Sequence, residues 1–275
     1  MGIVWDGEWR ITNAYEVKDV GTNFRVFRAF RGSLSGMASS PKDLPIYDLE
    51  IEIARALSPK ECARLVLEAP TGSGKSTQVP QMLLDLNIAG QDGEILVMQP
   101  RRLAARLLAL RVASERGGRP GDEVGYTVRF ENVSGRQTRI RYVTEGILVR
   151  RLLDDPELRG ISAIVFDEFH ERHLFGDIAL ARVLDLQETV RPDLKLVVMS
   201  ATLTAEPLLE YLAPCGQLTS EGRTYPVEIV YAPPKQRVGG EIWDAAVRAC
   251  EAAVANPDAG DVLIFMPGAF EIHRT

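Results

Sequence analysis

Five short, largely apolar runs recur along the middle of the chain: Leu65–Leu67, Ile95–Met98, Ile140–Val143, Ala163–Phe166 and Leu196–Met199. Each is too short for a helix and rich in branched side chains, the pattern of strands buried on both faces. Before the first of them, at residues 47–57, and between later ones, at Leu103–Glu115 and Gly146–Leu153, lie stretches with apolar positions three and four residues apart. That spacing puts the apolar side chains on one stripe of a helix. Short strands alternating with helices predict an α/β fold built on a mostly parallel sheet covered on both faces.

The pattern also divides the chain. Residues 44–222 hold the regular alternation, and a boundary falls near Glu221-Gly222-Arg223. Beyond it, Val227–Tyr231 reads as a strand, Pro233-Pro234 and Gly239-Gly240 break the chain, and Ile242–Ala253 reads as a helix. A buried strand then starts at Asp261. Residues 223–275 are expected to be a linker and the opening units of a second α/β domain, since one or two strands support no core of their own. Residues 1–43 differ again: Trp5, Trp9, Phe24, Phe27 and Phe30 alternate with polar residues before a Gly- and Ser-rich stretch. They can form short strands packed on the main domain, a weakly ordered arm or an appended segment, and the pattern assigns them no function.

Composition narrows the classes. The 275 residues are 45% hydrophobic and 25% charged, as in an ordinary globular protein. No apolar run approaches a membrane span, and Asp6, Glu8 and Arg10 interrupt any signal-peptide core. Cys62, Cys215 and Cys250 are odd in number and far apart, which suggests small buried thiols in a reducing, cytoplasmic setting rather than a disulfide framework or zinc site. A net charge of -6 argues against a globally basic nucleic-acid binder but leaves room for a local basic strip. Arginine outnumbers lysine 26 to 6, and the guanidinium suits bidentate phosphate contacts.

The chemistry centres on Ala69-Pro-Thr-Gly-Ser-Gly-Lys-Ser-Thr77, directly after the first strand-like run. Gly72 and Gly74 allow backbone conformations that a side chain would obstruct. The N–H groups from Gly72 and Ser73 to the start of the next helix can then surround a polyphosphate. Lys75 would reach the outer phosphates and the Ser76 hydroxyl would ligate Mg²⁺. Thr71 could shape the loop and Thr77 could bond locally. Ala69 stands where the strict pattern has glycine. Asp167-Glu168 closes the strand ending at Phe166. Asp167 is expected on the metal side and Glu168 is placed to polarise an attacking water. His170 either couples this site to a neighbouring element or is a hydrogen-bonded boundary histidine. His170 and His173 do not have the spacing of a helical zinc motif. These residues predict binding of ATP with Mg²⁺ and phosphoryl transfer; the bland readings are a capped glycine turn and an acidic strand end.

Asp167-Glu-Phe-His-Glu-Arg172 resembles the signature of the DEAH/RHA group of superfamily 2 helicases, in particular its bacterial HrpB-type branch. Ala69 matches the helicase form of the phosphate loop. Gln99-Pro-Arg-Arg102 resembles motif Ia, and Gly125-Tyr-Thr-Val-Arg-Phe130 a family segment before motif Ib. Thr144-Glu-Gly-Ile-Leu148 resembles motif Ib, Ser200-Ala-Thr202 motif III, and Phe265–Ile272 the entry to motif IV. The order of these segments carries more weight than any one of them. The resemblance implies a RecA-like P-loop NTPase domain followed by the start of a second one. It implies that Arg101, Arg102, Thr144 and Gly146 hold a single-stranded backbone, that Ser200 and Thr202 couple nucleotide state to that strand, and that Arg111 stacks on adenine. It further implies the ATP-binding half of an ATP-dependent helicase acting on single-stranded RNA or DNA, tilted toward RNA. Motifs V and VI, with their arginine fingers, are expected beyond this stretch. The alternatives are a P-loop ATPase that remodels a protein partner and a non-catalytic nucleotide-binding module.

Overall fold

The computed structural model describes residues 13–18, 25–30, 41–58, 61–201, 206–221, 229–230, 241–255 and 259–275. The chain divides into two compact units, Ala38–Arg223 and a smaller one that joins Met1–Met37 to Thr224–Thr275. In chain order the elements are β1 (Asn13–Lys18), β2 (Arg25–Phe30), α1 (Glu50–Leu57), β3 (Arg64–Glu68), α2 (Lys75–Asp85), β4 (Glu94–Gln99) and α3 (Arg102–Glu115). They continue with β5 (Val124–Val128), β6 (Glu131–Val133), β7 (Ile140–Thr144), α4 (Glu145–Asp154), β8 (Ile161–Phe166), α5 (Leu174–Thr189), β9 (Lys195–Ser200) and α6 (Glu206–Leu212). The last are β10 (Gly216–Thr219), β11 (Ile229–Val230), α7 (Ile242–Val254), β12 (Ala259–Phe265) and α8 (Ala269–Arg274).

The large unit is an eight-stranded sheet in the order β10-β3-β9-β8-β4-β7-β5-β6. All neighbours are parallel except β5 and β6, which form an antiparallel hairpin. Alternate residues of each central strand point to opposite faces. Leu65, Leu67, Ile95, Val97, Tyr142, Val165 and Val197 pack with Ile53, Val79, Leu83 and Val112 of α1, α2 and α3. Val66, Leu96, Met98, Ile164, Phe166 and Val198 pack with Leu148, Val183 and Leu212 of α4, α5 and α6. Both faces are therefore dry, which is why the strands read as near-continuous apolar runs. All seven parallel strands end on one edge, the edge where α/β sheets bind ligands.

All five expected strands form, each with one or two polar residues added at its ends. Three further strands of this sheet have no apolar run. β5 is broken by Gly125 and Thr127, β6 has only three residues, and β10 is an edge strand with no buried residue. The stretch at 47–57 divides: Pro45–Leu49 makes 3₁₀ turns and α1 starts only at Glu50. The three cysteines are free, and all are half-buried rather than fully buried as expected. Among the described residues no helix is long and apolar enough to cross a membrane.

The small unit has a four-stranded sheet in the order β11-β1-β2-β12. β1 and β2 form an antiparallel hairpin; β1 pairs parallel to β11 and β2 antiparallel to β12. Residues 1–37 thus contribute two of its strands. Around Val227–Tyr231 only Ile229–Val230 lies within the described residues.

Candidate nucleotide and nucleic-acid site

β3 delivers the chain to the ligand edge, and Ala69 N–H continues its ladder by bonding Ser200 O at 3.0 Å. The backbone then turns through Gly72 and Gly74, whose φ values of +85° and +93° lie in the left-handed region. At Gly74 a Cβ would also sit 2.8 Å from Leu44 Cδ1, so glycine is required there twice over. Ser73 anchors the loop: its carbonyl accepts from Ile46 N–H at 3.3 Å and its Oγ from Lys75 N–H at 3.4 Å. Thr77 bonds locally, its hydroxyl donating to Gly74 O at 3.2 Å. Thr71 and Gly72 are exposed at the loop's tip. The N-terminus of α2 opens from this loop, with its positive dipole end toward the ligand edge.

β8 ends beside it. Lys75, only 3% exposed, holds its Nζ 3.2 Å from Glu168 Oε1. Glu168 has φ +52°, a left-handed conformation that a long side chain rarely adopts and that recurs at functional sites. Asp167 is fully buried. Its Oδ1 accepts from Glu168 N–H at 2.9 Å and its Oδ2 from Gln99 Nε2, and the Ser76 hydroxyl also bonds its carboxylate. Burial, and then the charge of Glu168, pushes the Asp167 carboxyl up to about 6, against the pull of Ser76, Lys75 and the Glu168 N–H. A dry carboxylate next to a hydroxyl, with a lysine held nearby, is a hard oxygen donor set short of positive charge. It fits Mg²⁺, which prefers one or two carboxylates and phosphate oxygens.

His170 links this acid pair to the next strand. Its Nδ1 accepts from Ala201 N–H at 3.3 Å, and its Nε2 lies 3.4 Å from Glu168 Oε2. An Nδ1 that accepts must be bare, so in the neutral ring the proton sits on Nε2, the nitrogen that faces Glu168. His170 therefore bridges the end of β8 to the residue following Ser200. Ser200 itself is buried at the end of β9, and Thr202 lies outside the described residues. His173 does not join His170; it pairs with Glu145 at 3.0 Å.

The remaining candidates lie farther along the same edge. Arg101 and Arg102 are exposed just after β4; Arg101 pairs with Glu171 at 3.1 Å, and Arg102 donates to Arg129 O at 3.0 Å. Thr144 ends β7 directly opposite Gln99 of β4. Gly146 is exposed on α4, and a Cβ there would meet nothing within 4 Å. Arg111 is exposed on α3 and bonds Glu115 at 2.7 Å. Glu115 in turn accepts from Gln78 and Gln81 of α2, at 2.9 and 2.8 Å, which ties α3 to the phosphate-loop helix.

Sequence reasoning missed Gln99, Pro80 and Tyr142. Gln99 opens the motif that holds Arg101 and Arg102, but its side chain turns to Asp167. Pro80 lies inside α2 and has no N–H to give the carbonyl of Ser76. The buried Tyr142 hydroxyl donates to that carbonyl at 2.9 Å. Burial and the nearby Asp167 charge keep this phenol protonated, so it remains a donor.

The comparisons with known proteins agree with this arrangement. The family model described as DEAD/DEAH box helicase matches residues 51–210. The chain is 44% identical over 232 residues to the ATP-dependent RNA helicase HrpB of Escherichia coli, covering 84% of this chain and 28% of that one. It is 41% identical over 238 residues to the pre-mRNA-splicing factor ATP-dependent RNA helicase prp22 of Schizosaccharomyces pombe, covering 86% of this chain and 20% of that protein. The crystal structure of the Escherichia coli DEAH/RHA helicase HrpB superposes with a TM-score of 0.71 at 42% identity, over 84% of this chain and 29% of that one. The chain thus spans less than a third of the length of these relatives. With its phosphate loop, its Asp167-Glu168 pair and a RecA-like sheet in this order, the chain belongs to the DEAD/DEAH box helicase family, in its DEAH/RHA branch.

Proposed function

We propose that this chain is the ATP-binding part of an ATP-dependent RNA helicase that couples hydrolysis to movement on single strands. On this reading Ala38–Arg223 is the ATP-binding domain and the C-terminal segment opens a second RecA-like domain. The observation that carries the proposal is the convergence of Lys75, Glu168 and Asp167 between the ends of β3 and β8, with Lys75 Nζ 3.2 Å from Glu168. The loop N–H groups and Lys75 bind the triphosphate. Ser76 and Asp167 would hold Mg²⁺, which supplies neutralisation of phosphate charge. Glu168 orients and polarises the attacking water, and His170, with its Nε2 3.4 Å from Glu168 Oε2, helps to position it. Ser200 and Thr202 report nucleotide state. Arg111 lies against the base, and Arg101, Arg102, Thr144 and Gly146 grip the strand through its phosphates, without reading sequence.

Two variants separate binding from turnover. Lys75→Ala removes a charge-assisted contact to phosphate and is expected to weaken ATP binding about tenfold or more. Glu168→Gln keeps the size of the side chain but loses the base, so affinity should stay within about threefold while turnover falls about a hundredfold. The measurements are nucleotide titration and ATPase rate, each with and without oligo-U RNA or oligo-dT DNA, followed by strand displacement. Unchanged hydrolysis by folded Glu168→Gln protein overturns the assignment. ATPase that no nucleic acid stimulates favours remodelling of a protein partner instead.

A further inference from the structure

The β5–β6 hairpin ends in a two-residue turn, Arg129-Phe130, closed by the pairing of Val128 with Glu131. Phe130 is 90% exposed, the most exposed large apolar side chain among the described residues. Its φ is +70°, while Arg129 has an ordinary negative φ. A turn with positive φ only at its second central position favours glycine or asparagine there, and a bulky ring is strained in it. The chain thus carries two local costs at one residue: backbone strain and a hydrocarbon ring left in water. The Arg129 guanidinium lies over one face of the ring, 4.7 Å from its centroid. Such an exposed contact is weak and offsets only part of these costs. The other face is open.

The position of the turn says what that face meets. β4, β7 and β5 are consecutive in the sheet and parallel, so Arg101 and Arg102, then Thr144, then Phe130 follow one another along the ligand edge. Arg102 is tied to the turn itself through Arg129 O, at 3.0 Å. The acid beside the ring, Glu131, is occupied by Tyr126 O–H at 2.6 Å and Arg106 at 3.7 Å. An aromatic face in line with backbone-gripping cations is the combination that binds single strands. We propose that Phe130 is a stacking platform for one unpaired base, with Arg129 backing the ring and Arg101 and Arg102 holding the adjoining phosphates. This rests on the single-strand reading of the site and adds a base contact to it. Stacking uses the π-face common to all bases, so the contact is tolerant of sequence.

The test is fluorescence anisotropy of the purified protein with a labelled oligo-U strand and with an abasic strand of the same length. Phe130→Gly should weaken oligo-U binding about tenfold and leave the abasic strand unaffected. It should leave thermal stability unchanged or raise it, because glycine suits the turn; a merely structural Phe130 would instead lower it. Phe130→Trp should restore oligo-U affinity. The double variant Arg101→Ala, Arg102→Ala should weaken both strands alike. Full oligo-U affinity in Phe130→Gly, beside loss in the arginine variant, overturns the platform and leaves the strand-binding reading standing. Loss of both strands in Phe130→Gly also overturns it. Failure of the unmodified protein to bind oligo-U overturns both.

Discussion

Asp167 is a carboxyl group with every side dry, and its environment works against ionisation. Burial, reinforced by Glu168, raises it from the ordinary value of 3.8 to about 6. The folded chain therefore holds this proton more tightly than the unfolded chain does. Stability from this group is complete below about pH 4 and is lost as pH rises through about 6. A shift of about two pH units corresponds to about 3 kcal/mol that the nucleotide-free fold forgoes at neutral pH. Asp167→Asn removes that cost. In chelator and without nucleotide, the variant is expected to be about 1–3 kcal/mol more stable than its parent at pH 7.5, with the gap shrinking toward pH 4.5. Denaturant melts at the two pH values measure it, and an equal gap at both would contradict the buried-carboxylate account. With Mg²⁺ and ATP added the order should reverse, because only the carboxylate rewards a divalent cation.

At the scale of elements, α2 carries a defect at its most sensitive point. Pro80 withholds the N–H that Ser76 O would accept, and Ser76 is also the residue whose hydroxyl bonds Asp167. Tyr142, reaching across from β7, fills the vacancy at 2.9 Å. Tyr142→Phe should cost about 1–3 kcal/mol, the usual penalty for a buried carbonyl without a partner, and should lower nucleotide affinity by displacing Ser76. Pro80→Ala restores an N–H at position 80, so the penalty of Tyr142→Phe should be much smaller in that background. A double-mutant cycle by denaturant melts tests the coupling, and strictly additive effects would show the two residues to be independent. The same pair shows where the sequence stops being legible. The glycines, Lys75, Ser76, Asp167 and Glu168 were readable because their chemistry needs fixed types at fixed spacing. The five central strands were readable because burial on both faces leaves unbroken apolar runs. Tyr142 looked like one more core residue, since the carbonyl it bonds is 66 positions away. β5 and β10 escaped for a related reason: the edge or hairpin position of a strand is a property of its neighbours, and its own residues then need not be apolar.

The whole chain divides into two compact units. Both large hydrophobic clusters draw on residues between Leu44 and Leu218, so they lie inside Ala38–Arg223. Among the described residues, the small unit's cluster is built on Ala246, with Ile242, Ala249, Val262, Ile264 and Met266 half-buried around it. Its sheet also depends on segments from the two ends of the chain, since β1 and β2 separate β11 from β12. A sheet drawn from two separated segments loses its inner strands when one of them is removed. A chain of Ala38–Arg223 alone is therefore expected to fold cooperatively and to bind ATP within about threefold of the intact protein, since every candidate nucleotide residue lies within it. A chain of Thr224–Thr275 alone loses two of its four strands and should give no cooperative melt; adding back residues 1–37 should bring structure to it. Circular dichroism melts and nucleotide titration of the separated pieces check both halves. If Ala38–Arg223 fails to fold, or Thr224–Thr275 melts cooperatively without the N-terminal hairpin, the division of stability between the two units is wrong.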